Sequence, residues 1–143
     1  MKITLHKVTL NKRFPLAISR GVHYNSENLF VRYEKDGIVG WGEAAPGKAE
    51  GAGTISHVKQ SIEKFISEGI EGQSIQKLYD RSRQLDIPPC AYVGLDTAFW
   101  DWTAKKAGVP LYQMLGFSNP FSPTSISIGI NTPEVVKERV ARL

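Results

Sequence analysis

The chain has little cysteine and no long apolar run. Of its 143 residues only Cys90 is a cysteine, so neither an intrachain disulfide nor a CxxC metal site can form. No stretch approaches the roughly 18 consecutive apolar residues of a membrane span. The opening MKITLHKV has charges where the apolar part of a signal peptide would lie. These absences predict a cytoplasmic protein that does not enter a membrane.

Clustered charge and known catalytic motifs are also absent. The formal net charge is +4, and there is no run of about five or six like charges that would predict a nucleic-acid partner. His6, His23 and His57 lie in separate segments, which excludes an HxxxH zinc pair. GxGxxG, GxxxxGK[ST] and GxSxG do not occur. The residues therefore predict no catalytic group and no metal ligand in this chain.

The first 45 residues predict a three-stranded antiparallel meander. Residues 2–12 are rich in β-branched side chains, residues 28–35 alternate between apolar and polar, and residues 38–44 follow as a third strand. The pair Asp36-Gly37 is typical of a tight hairpin turn. Residues 13–27 contain Pro, Ser, Gly and Asn, and they predict a loop.

Three helices are expected after a second loop at residues 46–53. Thr54 and Ser74 are caps for the first two helices, and the third covers residues 90–106. The inward face of the first helix should hold Ile55, Val58, Ile62, Phe65 and Ile66. The inward face of the second helix should hold Ile75, Leu78, Tyr79 and Leu85. The third helix is apolar nearly all round, so Asp96 and Asp101 on it need polar partners.

Two short stretches admit more than one interpretation. Gly40 and Gly42 leave one face of a strand without side chains, which predicts that another element packs closely there. Glu43 can make a structural hydrogen bond or stand near a ligand. The stretch from Ser19 to Tyr24 holds a cation, a glycine, an imidazole and a phenol, and by itself it indicates a solvated loop.

The last twenty residues predict the first half of a βα repeat. Residues 124–130 alternate as a strand, and Thr132-Pro133-Glu134 is typical of a helix start. Val136, Val140 and Leu143 would form that helix's apolar stripe. A parallel strand needs a parallel neighbour, and no second one is predicted in this sequence.

Four stretches together resemble one family. They are FPLAISRG, GWGEAAPG, GLDTAFWDWTAKKAGVPLYQMLG and TSISIGINTPE. The sequence resembles the N-terminal half of the muconate-lactonizing branch of the enolase superfamily, and most of all its dipeptide epimerases. The resemblance implies an α+β capping domain at residues 1–117, a meander followed by a helical bundle. Residues 118–143 would be a linker and the incomplete start of a (β/α)8 barrel.

The resemblance also implies which residues contact substrate. Arg20 would meet a substrate carboxylate, and Ser127 would face the ligand from the first barrel strand. The first specificity loop would comprise Arg20, Gly21, Val22, His23 and Tyr24, and the second would include Pro46, Gly47, Lys48 and Gly51.

By resemblance, the complete enzyme abstracts a proton next to a carboxylate, and Mg²⁺ stabilises the enediolate. Its metal ligands and lysines would follow Leu143, so the fragment should bind no Mg²⁺ and be inactive. A small substrate, a dipeptide or other carboxylate, would need the intact barrel.

Alternative functions remain open from the sequence. The chain could be the capping half of a muconate cycloisomerase or an o-succinylbenzoate synthase. It could also be a stand-alone binding or assembly module without chemistry. The apolar tail, residues 124–143, should be either disordered or paired with another copy of the chain. Pairing predicts a homo-oligomer.

Overall fold

The computed structural model of the chain describes residues 1–47, 51–118 and 123–142. Three strands come first: β1 (Lys2–Ile18), β2 (Gly21–Lys35) and β3 (Ile38–Ala44). Helices follow: α1 (Ile55–Ser67), α2 (Ile75–Gln84), α3 (Pro89–Ala107), the single turn α4 (Leu111–Met114) and α5 (Pro133–Val140). No helix in these ranges is long and apolar enough to cross a bilayer.

The three strands form the expected antiparallel sheet, in the order β1-β2-β3. Leu29, Val31 and Tyr33 of the central strand β2 face the core, which confirms the alternation expected for residues 28–35. Asp36 and Gly37 have φ angles of 54° and 74°, as a two-residue hairpin turn requires.

The prediction of a loop at residues 13–27 is wrong. β1 continues to Ile18, β2 begins at Gly21, and only Ser19 and Arg20 form the turn. Pairing between two strands satisfies their backbone groups without needing an apolar face, and most side chains here are exposed. Pro15 is tolerated because β1 is an edge strand.

Helix α3 lies directly on the backbone of β3. A methyl group added at Gly42 would come within 1.9 Å of the Gly94 carbonyl oxygen, and one added at Gly40 within 2.1 Å of the Ala98 carbonyl oxygen. The close approach expected at these two glycines is confirmed. It lets Leu95 of α3 be completely buried in the core.

The helix caps are those expected. The hydroxyls of Thr54 and Ser74 each accept a backbone N–H three residues later, at 3.3 Å. Gly108 ends α3 with a φ of 69°. Tyr79, expected to face inward, is exposed. Helix α2 instead buries Leu78 and Ser82, and the centre of the Tyr79 ring lies 5.7 Å from that of the Tyr92 ring.

The chain divides into two compact units. Unit 1 comprises Met1–Val8 and Glu27–Asn119, and unit 2 comprises Thr9–Ser26 and Pro120–Leu143. Unit 2 thus contains the tip of the β1–β2 hairpin together with helix α5. The expected boundary at residue 117, between a capping domain and a barrel, stays a prediction.

Residues 124–130 do not form the strand that their alternation predicts. A parallel strand needs a neighbour to bond with, and none of the described residues supplies a parallel one. Helix α5 is present from Pro133, and it leaves Val136 half-buried and Val140 exposed. Leu143, expected on the same stripe, lies outside the described residues.

Candidate functional site

The tip of the β1–β2 hairpin holds the first group of predicted site residues. Arg20 lies in the two-residue turn, and Gly21 next to it has a φ of 137°, which favours glycine. Val22, His23 and Tyr24 belong to β2 and not to a loop. All five side-chain positions are exposed, so the tip can reach a ligand.

Successive strand residues point to opposite sides, so the tip has two chemically different faces. Val22 and Tyr24 share one face, and they are 52% and 65% exposed. His23 lies on the other face with Gly21. The first face carries this apolar pair, and Arg20 precedes Val22 by two residues in the turn, a combination that suits a ligand with both an apolar and an anionic part.

Ser127 lies in the same compact unit as the hairpin tip. It lines a small cleft of about 70 Å³ whose other walls include Phe14, Leu16 and Arg139. The guanidinium carbon of Arg139 lies 4.9 Å from the centre of the Phe14 ring. Sequence reasoning missed Phe14 and Arg139. A basic residue in the last turn of a helix was the available signal, and it does not reveal an aromatic partner more than a hundred residues earlier.

The second predicted loop belongs to unit 1. Its two described sides are linked, since the Ala52 N–H donates to the Gly47 carbonyl oxygen at 3.3 Å, and Gly51 has a φ of 71°. Pro46 and Gly47 are half-buried and Gly51 is exposed. Lys48, the fourth predicted residue of this loop, lies outside the described residues.

Glu43 on β3 and Asp96 and Asp101 on α3 make structural hydrogen bonds. Glu43 accepts from the side-chain amide of buried Asn28, which supports the structural interpretation of that glutamate. Asp101 accepts the Trp41 backbone N–H at 2.8 Å. Asp96 accepts from the hydroxyl of Tyr92 at 3.3 Å, and burial raises the pKa of Asp96 above its ordinary value.

The described part of the chain does not provide a magnesium site. Within it, no group of three or more His, Cys, Asp or Glu side chains is placed to hold a metal ion. Divalent magnesium is held in proteins mainly by carboxylate and other oxygen ligands. Several acidic residues in this part of the chain instead make hydrogen bonds or surface ion pairs, among them Glu43, Asp96 and Asp101.

The positive charge of the chain is concentrated in unit 2. Six of the 18 Lys and Arg residues and two of the 14 Asp and Glu residues lie there. Unit 2 therefore carries a formal +4, the whole net charge, because twelve basic and twelve acidic residues cancel in unit 1. Such a field attracts anionic groups, including carboxylates, to the unit that holds Arg20.

Comparison with known proteins identifies the family. Residues 1–116 match the model of the mandelate racemase / muconate lactonizing enzyme N-terminal domain. The chain belongs to this family. The expected capping-domain fold is confirmed, because solved enolase-superfamily enzymes share this architecture of a three-stranded antiparallel sheet and helices.

Several relatives of this N-terminal domain are dipeptide epimerases. The chain is 72% identical over all 143 residues to the hydrophobic dipeptide epimerase of Flavobacteria bacterium (strain MS024-2A), and covers 41% of that protein. It is 45% identical to the hydrophobic dipeptide epimerase of Roseobacter litoralis, again over its full length and 41% of the relative. The chain thus spans about two fifths of these relatives' length.

A solved structure gives the same picture. The dipeptide epimerase of Enterococcus faecalis V583, crystallised with Mg and the dipeptide L-Leu-L-Tyr, matches with a TM-score of 0.87 and 26% identity. The match covers 98% of this chain and 41% of that one. The similarity to the enolase superfamily and to dipeptide epimerases expected from the sequence is therefore confirmed.

Proposed function

We propose that this chain is the substrate-selecting cap of a cytoplasmic, magnesium-dependent dipeptide epimerase that prefers hydrophobic dipeptides. The observation that carries the proposal is the 72% identity to a hydrophobic dipeptide epimerase, in a match that covers the whole length of this chain. Within the described residues no group of three or more His, Cys, Asp or Glu side chains could hold a metal ion, so the proposal assigns this chain substrate selection and not metal binding. We expect the isolated chain to be inactive.

The exposed apolar pair at the hairpin tip supports the hydrophobic preference. Val22 and Tyr24 present apolar surface on one face, and covering that surface with a substrate side chain would remove it from water. In this proposal the guanidinium of Arg20 binds a carboxylate of the dipeptide through two parallel hydrogen bonds. The net positive charge of unit 2 favours the approach of that carboxylate.

The remaining predicted residues have supporting roles in the proposal. The backbone of Gly21 and the imidazole of His23 lie on the opposite face, where they can contact polar parts of the ligand. Ser127 supplies a hydroxyl from its cleft in unit 2. Pro46, Gly47, Lys48 and Gly51 would close over the substrate as the second specificity loop.

A chimera tests this function directly. The present 143 residues would replace the matching 143 residues of the Flavobacteria bacterium enzyme. Epimerisation of L-Leu-L-Tyr in D₂O would be followed by NMR as loss of the α-proton signal. We expect exchange with the chimera and none with the isolated chain. A chimera that folds by circular dichroism but exchanges no α-proton would refute the proposal.

Two variants of the chimera test the hairpin tip. Val22→Ala should lower kcat/KM for L-Leu-L-Tyr by up to about fifteenfold, because the two methyl groups that the substrate would cover are lost. Val93→Ala is the matched control, since Val93 on α3 is equally exposed at 52%. Arg20→Ala should lower kcat/KM by at least about tenfold through loss of a charged hydrogen bond. Equal effects of the two valine changes would contradict the proposed contact.

The apolar tail supports a second part of the proposal, self-association of the isolated chain. Ile126 and Ile130 are exposed, and a second copy that paired along residues 124–130 would cover them. Exposed Val140 on α5 adds to the apolar surface of the tail. Sedimentation velocity over a range of concentrations should detect a dimer that Ile126→Lys weakens. A monomer at all concentrations, with residues 124–130 ordered, would contradict it.

A further inference from the structure

The edge of β1 near the hairpin tip is held by residues of the tail. The Ile130 backbone N–H donates to the Ala17 carbonyl oxygen at 2.8 Å. The neighbouring Gly129 is buried, and a methyl group added there would lie 2.6 Å from the Ala17 backbone nitrogen and 3.0 Å from its carbonyl oxygen. Because these obstructing atoms are backbone, no rotamer change could make room for a side chain.

A second contact lies further along β1, away from the tip. Arg139 of α5 places its guanidinium carbon 4.9 Å from the centre of the Phe14 ring, and Arg13 lies 5.3 Å from the same ring. A guanidinium near an aromatic face is attracted by the ring quadrupole. Arg139 is also half-buried, so this contact is partly shielded from water.

The first of these contacts lies close to the turn that carries Arg20. Ala17 is three residues away, which corresponds to about 10 Å along an extended strand. A two-stranded hairpin is at best marginally stable without support from further structure. Contacts at Phe14 and Ala17 therefore limit the movement of the tip.

We propose that Gly129 and Arg139 are positioning residues that latch the tip of the β1–β2 hairpin. Gly129 allows the tail backbone to reach Ala17, and Arg139 holds the ring of Phe14. Together they fix where Arg20, Val22 and Tyr24 are presented. The consequence for substrate selection rests on the proposed function, whereas the latch itself can be tested without it.

Amide hydrogen exchange of the 143-residue chain tests the latch. Gly129→Ala should accelerate exchange of the Ile130 amide by about tenfold, because the bond to Ala17 would break. Exchange at Leu29 and Val31 in the central strand should change less than about twofold. Ser125→Thr, which adds a methyl group to an exposed side chain of the same segment, is the control and should leave exchange unchanged.

A second pair of variants decides the question if Gly129→Ala fails to fold. Arg139→Gln should accelerate Ile130 exchange and shift the ring resonances of Phe14, whereas Lys137→Gln removes the same charge from a neighbouring position on α5 and should do neither. Unchanged Ile130 exchange in Arg139→Gln, and in Gly129→Ala where that variant folds, would overturn the latch.

The positioning role is tested by kinetics of the chimera described above. Arg139→Gln should raise KM for L-Leu-L-Tyr at least about threefold and leave kcat within about twofold, because the tip would still reach the substrate but less often in the correct position. Arg139→Lys should restore part of the loss. Unchanged KM together with accelerated Ile130 exchange would overturn the positioning role. A parent chimera without activity would refute the proposed function, and hydrogen exchange would still decide whether the latch exists.

Discussion

Replacing Gly42 with alanine tests the contact between β3 and α3 on which the described core depends. The new methyl group would lie 1.9 Å from the Gly94 carbonyl oxygen and 2.8 Å from the Ala98 backbone nitrogen. Reaching an ordinary contact of about 3.4 Å would require the strand and helix to separate by about 1.5 Å. Both obstructing atoms are helix backbone, so side-chain rotation cannot relieve the clash.

The expected cost follows from this geometry. Extra methyl groups in a packed core typically cost about 1–3 kcal/mol, and an immovable neighbour favours the upper end. We therefore expect Gly42→Ala to lower the free energy of unfolding by about 3 kcal/mol. That is a large share of the roughly 5–15 kcal/mol that stabilises a domain. For a chain of this length it corresponds to a fall in Tm of about 10 °C.

Urea denaturation followed by circular dichroism measures the effect, with two further glycines as internal comparisons. Gly40→Ala should behave like Gly42→Ala, because its methyl group also meets helix backbone, at 2.1 Å. Gly94→Ala should change stability by less than about 1 kcal/mol. Its methyl group would lie 3.1 Å from the Ala44 Cβ and 3.2 Å from both the Ala44 backbone nitrogen and a Val31 methyl group, which is tight but needs only a small shift. In addition, alanine favours the helix. Equal costs at Gly42 and Gly94 would refute the reasoning.

Three other changes have defined outcomes in the same denaturation assay. Thr54→Ala should lower the free energy of unfolding by about 1 kcal/mol, because α1 would lose its N-cap, and Thr54→Ser should preserve it. Asp101→Asn should cost roughly 1 kcal/mol, because the charged acceptor of the Trp41 N–H and the ion pair with Lys105 at 2.6 Å would be weakened. Burial raises the pKa of Asp96 in the folded state. The contribution of Asp96 to the free energy of unfolding is therefore complete at pH values below its unfolded-state pKa, and it is lost as the pH rises through its folded-state pKa. Asp96→Asn should therefore flatten that decline in stability between acidic and neutral pH, and an unchanged pH profile would contradict it.

The features that sequence could predict are those that depend on local chemistry. The hydroxyls of Thr54 and Ser74 cap helices because each can bond to an N–H three residues away on its own chain. Asp36-Gly37 forms a turn because both residues tolerate positive φ. Gly42 predicted a close neighbour because a glycine inside a strand weakens it and often marks a place where another backbone approaches. The predicted substrate contacts came from family resemblance, and their roles remain predictions.

The features that could not be predicted depend on which segments pair. Residues 13–18 and 21–27 form strands although few of their side chains are buried, since the two halves of the hairpin bond to each other. Residues 124–130 alternate in polarity but form no strand, since none of the described residues offers them a parallel neighbour. Alternation therefore reports which side chains a strand could bury, whereas strand formation depends on a partner backbone.

The same reasoning explains why the latch was missed. Phe14 lay in an expected loop, and Arg139 was one basic residue on an amphipathic helix, so neither had a local reason to find the other. Once the hairpin is known to extend to Ile18, its edge can accept the Ile130 N–H at Ala17. Gly129 then becomes informative, because only a residue without a side chain lets the tail backbone come so close. If the proposed latch holds, the position of the hairpin tip depends on a glycine that contributes no side chain of its own.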